Sequence, residues 1–532
     1  MLSSAAALFW ASCLIPIFVF LPILKADFVF WDDTINIFLN PKMFEPLNWS
    51  WLLWAFSDGD SALRYKPLNW LVWKLWIEAI GDDPWGFHFL SLAFHSLNSG
   101  LLFLIICRLL STPANGSISS KERNVIAFLV CTIWAVHPMK AEPVGWITGF
   151  PYLLSTSFLF LSVLFFLESQ KGAKEKLYLT ISSVAFMGSL LSYPLTMLFP
   201  ISLFLWDLWR KNLIFFPTIN WKSCRLCYHF SLWISSAFIL SYNLLINFRG
   251  STVVDYAVAS SPISEPTRFI RGVYGISSYI WRWLMPVDLA PVYFNHHFFQ
   301  LNFWPEACAC LVFAGLILFF LFLGIRRSFG WIIGLSSFLA LTLPTGGFLS
   351  DSITFGDRHA YQGHFIVAVL LAYFAKVFLD MITEEHRKIP FFCLVGSFSI
   401  IIFCGSLMTQ AQLKIWENTE SLMEHVLPKT QPYPGFRSMM LLRLGLAKAG
   451  DKTSLEAIEH LREATRIAPW NYDAWHMRGL VALERNLLED AEKSLTHAYE
   501  LNPEARLKEL LSGISSELER QRNLSESEYL DD

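Results

Sequence analysis

The chain has 532 residues, of which 54% are hydrophobic, 16% aromatic and only 16% charged, with 22 Trp and 47 Phe; an average soluble domain carries about 25% charged residues. The formal net charge is −3, so no basic surface is available to hold nucleic acid or another polyanion. Composition and charge together exclude a soluble, a disordered and a nucleic-acid-binding protein.

The charge is unevenly spread. Residues 414–532 hold 15 Lys and Arg and 21 Asp and Glu, against 26 and 23 in the first 413. The chain therefore divides into a membrane domain, 1–413, and a soluble tail, 414–532.

A helix that crosses a bilayer needs about 17–25 apolar residues. Apolar runs near 5–24, 87–107, 125–136, 152–167, 177–191, 195–209, 230–246, 305–325, 331–343, 364–379 and 390–408 predict about eleven crossings. The first has no cationic flank and no small-residue cleavage site after it, so it reads as a retained anchor. Cations gather at Lys121/Arg123, Lys171/Lys174/Lys176, Arg210/Lys211/Lys222/Arg225, Arg326/Arg327 and Arg387/Lys388. With those loops cytoplasmic, the alternation closes if 249–304 stays outside, with 269–284 on or dipping into the membrane. The loops 27–86, 137–151 and 344–361 and the tail then share the outer face.

Seven of the nine Cys lie in or beside apolar runs, where Cys acts as a small hydrophobe. Cys224 and Cys227 form one CxxC with no second pair, so no metal site is expected.

Asp32 and Asp33 follow the first run directly, behind Phe28, Phe30 and Trp31, which suit an aromatic belt. An adjacent acidic pair is as readily a helix cap or solvated turn as a general base held where protein meets water. Arg64, Tyr65, Lys66 and Pro67 place two cations beside a Pro-fixed turn. His88, His95 and Asn98 fall on one face of the second run. Structural hydrogen bonding inside the bundle explains them more simply than a site, and i, i+7 histidines are poorly spaced for chelation. His137, Pro138 and Glu142 stand in the second outer loop, and Asp357 and Arg358 in the third.

In the tail, Gly445 and Gly479, Ala457 and Ala491, Leu461 and Leu495, Ala464 and Ala498, and Pro469 and Pro503 are each 34 apart, the tetratricopeptide period. Repeats at about 436–469 and 470–503, with a capping helix at 505–522, are expected to form a short α-solenoid that binds a partner or props a loop.

Taken in order, a set of motifs spans nearly the whole chain. They are Trp31-Asp32-Asp33, Arg64-x-x-Pro67-Leu68, Phe87-His88 with His95 and Asn98, and His137-Pro138-x-x-x-Glu142-x-Val144-x-Trp146. Then come Tyr279-x-Trp281-Arg282 with Pro286-x-x-Leu289-x-x-x-Tyr293, and Asp357-Arg358-x-x-Tyr361 followed by a span and the repeats. This series resembles the transmembrane and tetratricopeptide repeat-containing glycosyltransferases.

The resemblance implies an all-α, polytopic helical membrane bundle of the GT-C kind with a C-terminal tetratricopeptide α-solenoid. It implies inverting transfer of mannose from a polyprenyl-phosphate donor to Ser or Thr hydroxyls of protein on the outer face. Asp32 or Asp33 would be the general base, and Arg358 with Arg64 or Arg282 would hold the leaving phosphate. Lys66, His88, His137, Glu142 and Asp357 would line the site. No cofactor or metal is expected, because the lipid-linked sugar is itself a substrate and the leaving group is a single phosphate. The expected partners are membrane lipid, the polyprenyl-phosphate sugar, and a protein or peptide acceptor engaged by the repeats. Adjacent carboxylates cannot straddle a glycosidic bond as a hydrolase's do, which argues against hydrolysis.

Three features depart from the family pattern: Thr148-Gly149-Phe150-Pro151 replaces a charged run, and Tyr193 and Arg282 stand where Lys is usual. They imply a donor other than the family's usual one, a phosphate held by other residues, or lost activity; the competing reading is an inactive membrane-anchored repeat scaffold that recruits protein partners. A transporter of lipid-linked sugars would want more mid-span polar residues than His95 and Asn98. Sequons at Asn48, Asn115 and Asn523 suit a secretory pathway, whereas the short repeat array favours a bacterial inner membrane over the endoplasmic reticulum.

Overall fold

The computed structural model describes residues 4–57, 65–111, 118–210, 224–254, 265–293, 304–326, 329–346, 356–430, 434–450 and 455–531, and their regular elements are all helices. The chain forms two units, Met1–Ser251 with Pro262–Glu417, and Thr252–Ser261 with Asn418–Asp532. In chain order the first holds α1 (Ser4–Phe20), α2 (Trp49–Ser57), α3 (Pro67–Ile80), α4 (Pro84–Leu109), α5 (Ser120–Ala135), α6 (Ala141–Gly145), α7 (Phe150–Ser169) and α8 (Glu175–Ser192). There follow α9 (Pro200–Arg210), α10 (Cys224–Val254), α11 (Glu265–Leu284), α12 (Trp304–Arg326), α13 (Gly330–Thr342), α14 (His364–Asp380) and α15 (Lys388–Leu413).

Helix ends follow local chemistry. Asp83 accepts from the Trp85 N–H ahead of Pro84 to start α4, and Ser119 with Glu122 forms a capping box that starts α5. Among the described residues four segments are long and apolar enough to cross a bilayer: Ser4–Lys25, Pro84–Leu109, Ile147–Ser169 and Lys388–Trp416. A fifth results if Ser120–Ala135 and Pro138–Gly145, bent by 58°, form one span. The first unit is thus a multi-pass helical bundle, and its described residues show fewer clear crossings than the eleven apolar runs predict. The run at 195–209 is the plainest case: α9 has 11 residues, about 16 Å at 1.5 Å per residue, against a hydrocarbon core of about 30 Å.

Burial separates the roles of the long helices. The apolar windows of α4 and α7 are each 72% buried and form the centre of the bundle, while that of α15 is 6% buried. Polar seams satisfy the buried faces: Ser155 meets Ser189 at 3.0 Å and Ser162 meets Ser182 at 3.1 Å between α7 and α8. The bend after α5 frees two carbonyls that a continuing helix would use. His95 on α4 bonds that of Ala135 at 2.9 Å, and Thr409 on α15 bonds that of Val136 at 2.7 Å. Asn98 bonds the Leu153 carbonyl and the Tyr361 hydroxyl, so the polar face of α4 is structural at His95 and Asn98.

The second unit begins with α16 (Thr419–Val426) and continues through α17 (Pro434–Lys448), α18 (Glu456–Ile467), α19 (Tyr472–Glu484), α20 (Leu488–Leu501) and α21 (Ala505–Asp531). α17 packs on α18 and α19 on α20 as two hairpins. A Cβ on Gly445 would lie 2.8 Å from Leu461, and one on Gly479 would lie 2.5 Å from Leu495. The 34-residue spacing of the glycines therefore marks the same close helix crossing twice.

Candidate active site

The turn after α1 carries the acidic pair, and the two carboxylates have different surroundings. Asp33 is 1% exposed. Its Oδ2 accepts from the Val29 N–H at 3.0 Å, closing the turn, and its Oδ1 accepts from Thr148 twice, from N at 3.0 Å and from Oγ1 at 2.5 Å. Burial nevertheless raises its pKa to about 6. The Asp32 side chain is half-buried, and among the described residues no hydrogen bond reaches its carboxylate. Its backbone carbonyl is held by the N–H and the Nδ2 of Asn36, whose Oδ1 accepts from Lys66 Nζ at 2.8 Å. Lys66 also lies 4.4 Å from the centre of the Trp70 ring.

Thr148 belongs to the loop that supplies the next group. His137 opens it: the Met139 N–H donates to Nδ1, which leaves Nε2–H to donate to the Trp283 carbonyl at 2.9 Å. His137 thus holds the loop entrance against α11. α6 then presents Glu142, whose Oε2 accepts from the backbone N–H of Arg358 at 2.8 Å and whose Oε1 pairs with Arg358 Nη1. Nη1 also donates to the Pro291 carbonyl at 2.8 Å. Among the described residues, Nε of Arg358 has no hydrogen-bond partner and Nη2 makes no hydrogen bond. One planar edge of a buried guanidinium is therefore unengaged among the described residues, an edge of the kind that binds a phosphate bidentately. Burial opposes the charge on Arg358, but Glu142, then Tyr152 and Asp32, hold it protonated.

Asp357 precedes it on the same 3₁₀ turn. It accepts from the Tyr293 hydroxyl at 2.7 Å, and Arg282 stacks 3.3 Å from the centre of the Tyr293 ring. Burial, and then the charge of Glu142, raise the Asp357 pKa. Arg282 also donates from Nη1 to Ser278 at 2.7 Å.

The structure thus joins Asp32 to Lys66 through Asn36, Asp33 to Thr148, Glu142 to Arg358, and Asp357 to Arg282 through Tyr293, with the Asp32 charge acting on Arg358 and His137 at the loop entrance. His88 is buried on α4, and among the described residues neither ring nitrogen has a hydrogen-bond partner. Arg64 lies outside the described residues. Two buried residues here were not proposed for the site from sequence, Thr148 being named there only as a departure from the family pattern. Thr148 sits 115 positions from the carboxylate it binds, and no local pattern reveals that. Lys140 is fully buried 4.7 Å from the Trp134 and Tyr361 ring centres, donates to the Tyr361 carbonyl at 3.3 Å, and pairs with no carboxylate among the described residues. A lone Lys inside an otherwise apolar loop between two motif residues was the available signal. Among the described residues no three His, Cys, Asp or Glu are grouped to hold a metal ion.

Comparison with known proteins points one way. The chain is similar to protein O-mannosyl-transferases. It is 30% identical over 134 residues to the Protein O-mannosyl-transferase Tmtc3 of Drosophila melanogaster, a match covering 23% of this chain and 13% of that protein. It is 29% identical over 192 residues to TMTC1 of Mus musculus, covering 35% and 19%, and 28% identical over 131 residues to TMTC3 of Homo sapiens, covering 25% and 13%. The matches thus span less than a fifth of each of these relatives' lengths. No family model and no solved structure matches the chain.

Proposed function

We propose that the protein is an integral-membrane glycosyltransferase of the GT-C kind, moving mannose from a polyprenyl-phosphate donor to Ser or Thr hydroxyls of protein on the outer, periplasmic or lumenal, face. The observation that carries this is a pairing: a carboxylate on Asp32 and a guanidinium edge on Arg358, neither with a hydrogen-bond partner among the described residues, with the Asp32 charge acting on Arg358. A group-transfer site that displaces a phosphate needs these two functions. The named relatives are O-mannosyl-transferases, which supports the sugar and the acceptor, and they are animal proteins, which favours the lumenal face over the bacterial one.

In this reading Asp32 takes the acceptor hydroxyl proton as that oxygen forms its bond to the anomeric carbon. The bond from that carbon to the phosphate oxygen breaks, both electrons leave with the polyprenyl phosphate, and the configuration inverts. Arg358 binds the departing phosphate through Nε and Nη2, with Arg282 and Lys66 adding positive charge. The leaving group is a monophosphate, and the reading calls on neither metal nor cofactor. The hairpins of the second unit, read as tetratricopeptide repeats, engage the acceptor.

The inactive-scaffold reading draws its support from Thr148-Gly149-Phe150-Pro151, which brings no charge to the loop. A panel of polyprenyl-phosphate sugars offered to membranes containing the protein separates the two. Label from the mannose donor alone supports the transferase, and label from no donor, with the protein intact, supports the scaffold.

A further inference from the structure

Thr148 has no part in the reaction as written, yet it makes the most specific contact in the acidic turn. Its N–H and its hydroxyl both reach the same oxygen, Oδ1 of Asp33, across 115 residues of chain, and the side chain is 6% exposed. The other carboxylate oxygen of Asp33 is engaged by Val29 N–H at 3.0 Å. Asp33 is therefore held on both oxygens by three hydrogen bonds, while among the described residues no hydrogen bond reaches the carboxylate of Asp32 next to it. The loop bearing Thr148 is itself held close. A Cβ on Gly149 would sit 2.6 Å from the Pro143 carbonyl oxygen, and the Gly149 N–H donates to the Trp146 carbonyl at 2.9 Å. Trp146 in turn faces Arg358, 5.4 Å from its ring centre. The clamp thus ties the turn carrying the proposed base to the loop that positions the proposed phosphate ligand.

We propose that Thr148 is a positioning residue, whose hydroxyl clamps Asp33 so that the turn presents the Asp32 carboxylate to the acceptor. This rests on the transferase reading above. It assigns a purpose to the segment that departs from the family pattern: a neutral hydroxyl donor from the 148–151 stretch orders the acidic pair. Catalysis loses large factors when a reacting group is misplaced by about 1 Å, so a clamp on the neighbouring residue is enough to matter.

The test compares wild type, Thr148→Ser and Thr148→Val in mannose transfer from a polyprenyl-phosphate mannose to an acceptor peptide. Val keeps the shape and the backbone N–H but removes the hydroxyl donor; Ser restores it. Thr148→Val is expected to lower kcat at least tenfold, leave the donor KM within twofold and move the acid limb of the pH profile to higher pH, because the anionic Asp33 loses a hydrogen bond. Thr148→Ser is expected to return kcat to within about threefold of wild type. Wild-type kcat and pH limb in Thr148→Val, or a loss that Ser does not recover, would overturn the proposal. If wild type itself transfers nothing, the transferase reading fails, and the clamp is judged by melting temperatures of Thr148→Val, Asp33→Ala and the double variant. A clamp requires the double variant to lose less than the two single losses added together, and additive losses contradict it.

Discussion

The carboxylates of Asp32 and Asp33 are one peptide apart and chemically identical, and their surroundings alone divide them. Asp33 accepts three hydrogen bonds from Val29 and Thr148 in a buried turn, whereas among the described residues none reaches the Asp32 carboxylate. Burial raises the Asp33 pKa from 3.8 to about 6, and this has a sign that can be checked. A group that binds its proton more tightly when folded favours the folded state at low pH, and this contribution disappears as pH rises through the folded value. The melting temperature of wild type should therefore fall more between pH 4 and pH 7 than that of Asp33→Asn, in which the group cannot titrate. Parallel curves for the two proteins would remove the buried, titrating Asp33.

Arg358 makes a second prediction from its two unlike edges. Replacing it by Ala removes the edge proposed for the donor and also strands Glu142, a buried carboxylate, at a cost of about 3–5 kcal/mol. Replacing both Glu142 and Arg358 by Leu should recover most of that stability. The donor KM should stay raised, and by more than the acceptor KM. Recovery of donor binding with the stability would show that Arg358 serves the fold alone. Sequence identified both residues as charged groups in outer loops, but not their partnership, because 216 residues separate them. The same distance effect hid Thr148, and a purely local reading could not have ranked Asp32 over Asp33.

Helices were the most legible level, and their lengths the least. The 34-residue spacing from Gly445 to Gly479 is visible in the string of letters because each position meets the same demand, a helix crossing too tight for a side chain. Gly479→Val should accordingly force Leu495 aside and expose the 472–501 hairpin to protease at a temperature where wild type resists; equal cleavage rates would show that the crossing tolerates a side chain. Apolar runs, by contrast, record burial without recording what buries them. The run at 195–209 is apolar because it packs into the bundle, and its helix is too short to cross. The bend between α5 and α6 was also invisible as a bend, although it frees the carbonyls that His95 and Thr409 satisfy and sets Glu142 against Arg358. What reads as one interrupted apolar stretch is the scaffold of the site.

Across the molecule, the two units divide the work as composition suggests: an apolar bundle holds the charged network, and a charge-rich set of hairpins follows it. Within the bundle Asp33, Lys66, Glu142, Asp357 and Arg358 are buried in turns and short helices, positions that cost free energy unless they serve a purpose. The account stands or falls on one assignment, that the Asp32 carboxylate takes a proton during sugar transfer. The direct test is transfer of radiolabelled mannose from polyprenyl phosphate to protein, in membranes carrying equal amounts of folded wild type or Asp32→Asn. A general base contributes about 10²–10⁴ in rate, so label should appear with wild type and fall by at least a hundredfold with the variant. Equal labelling by the two proteins would contradict the account.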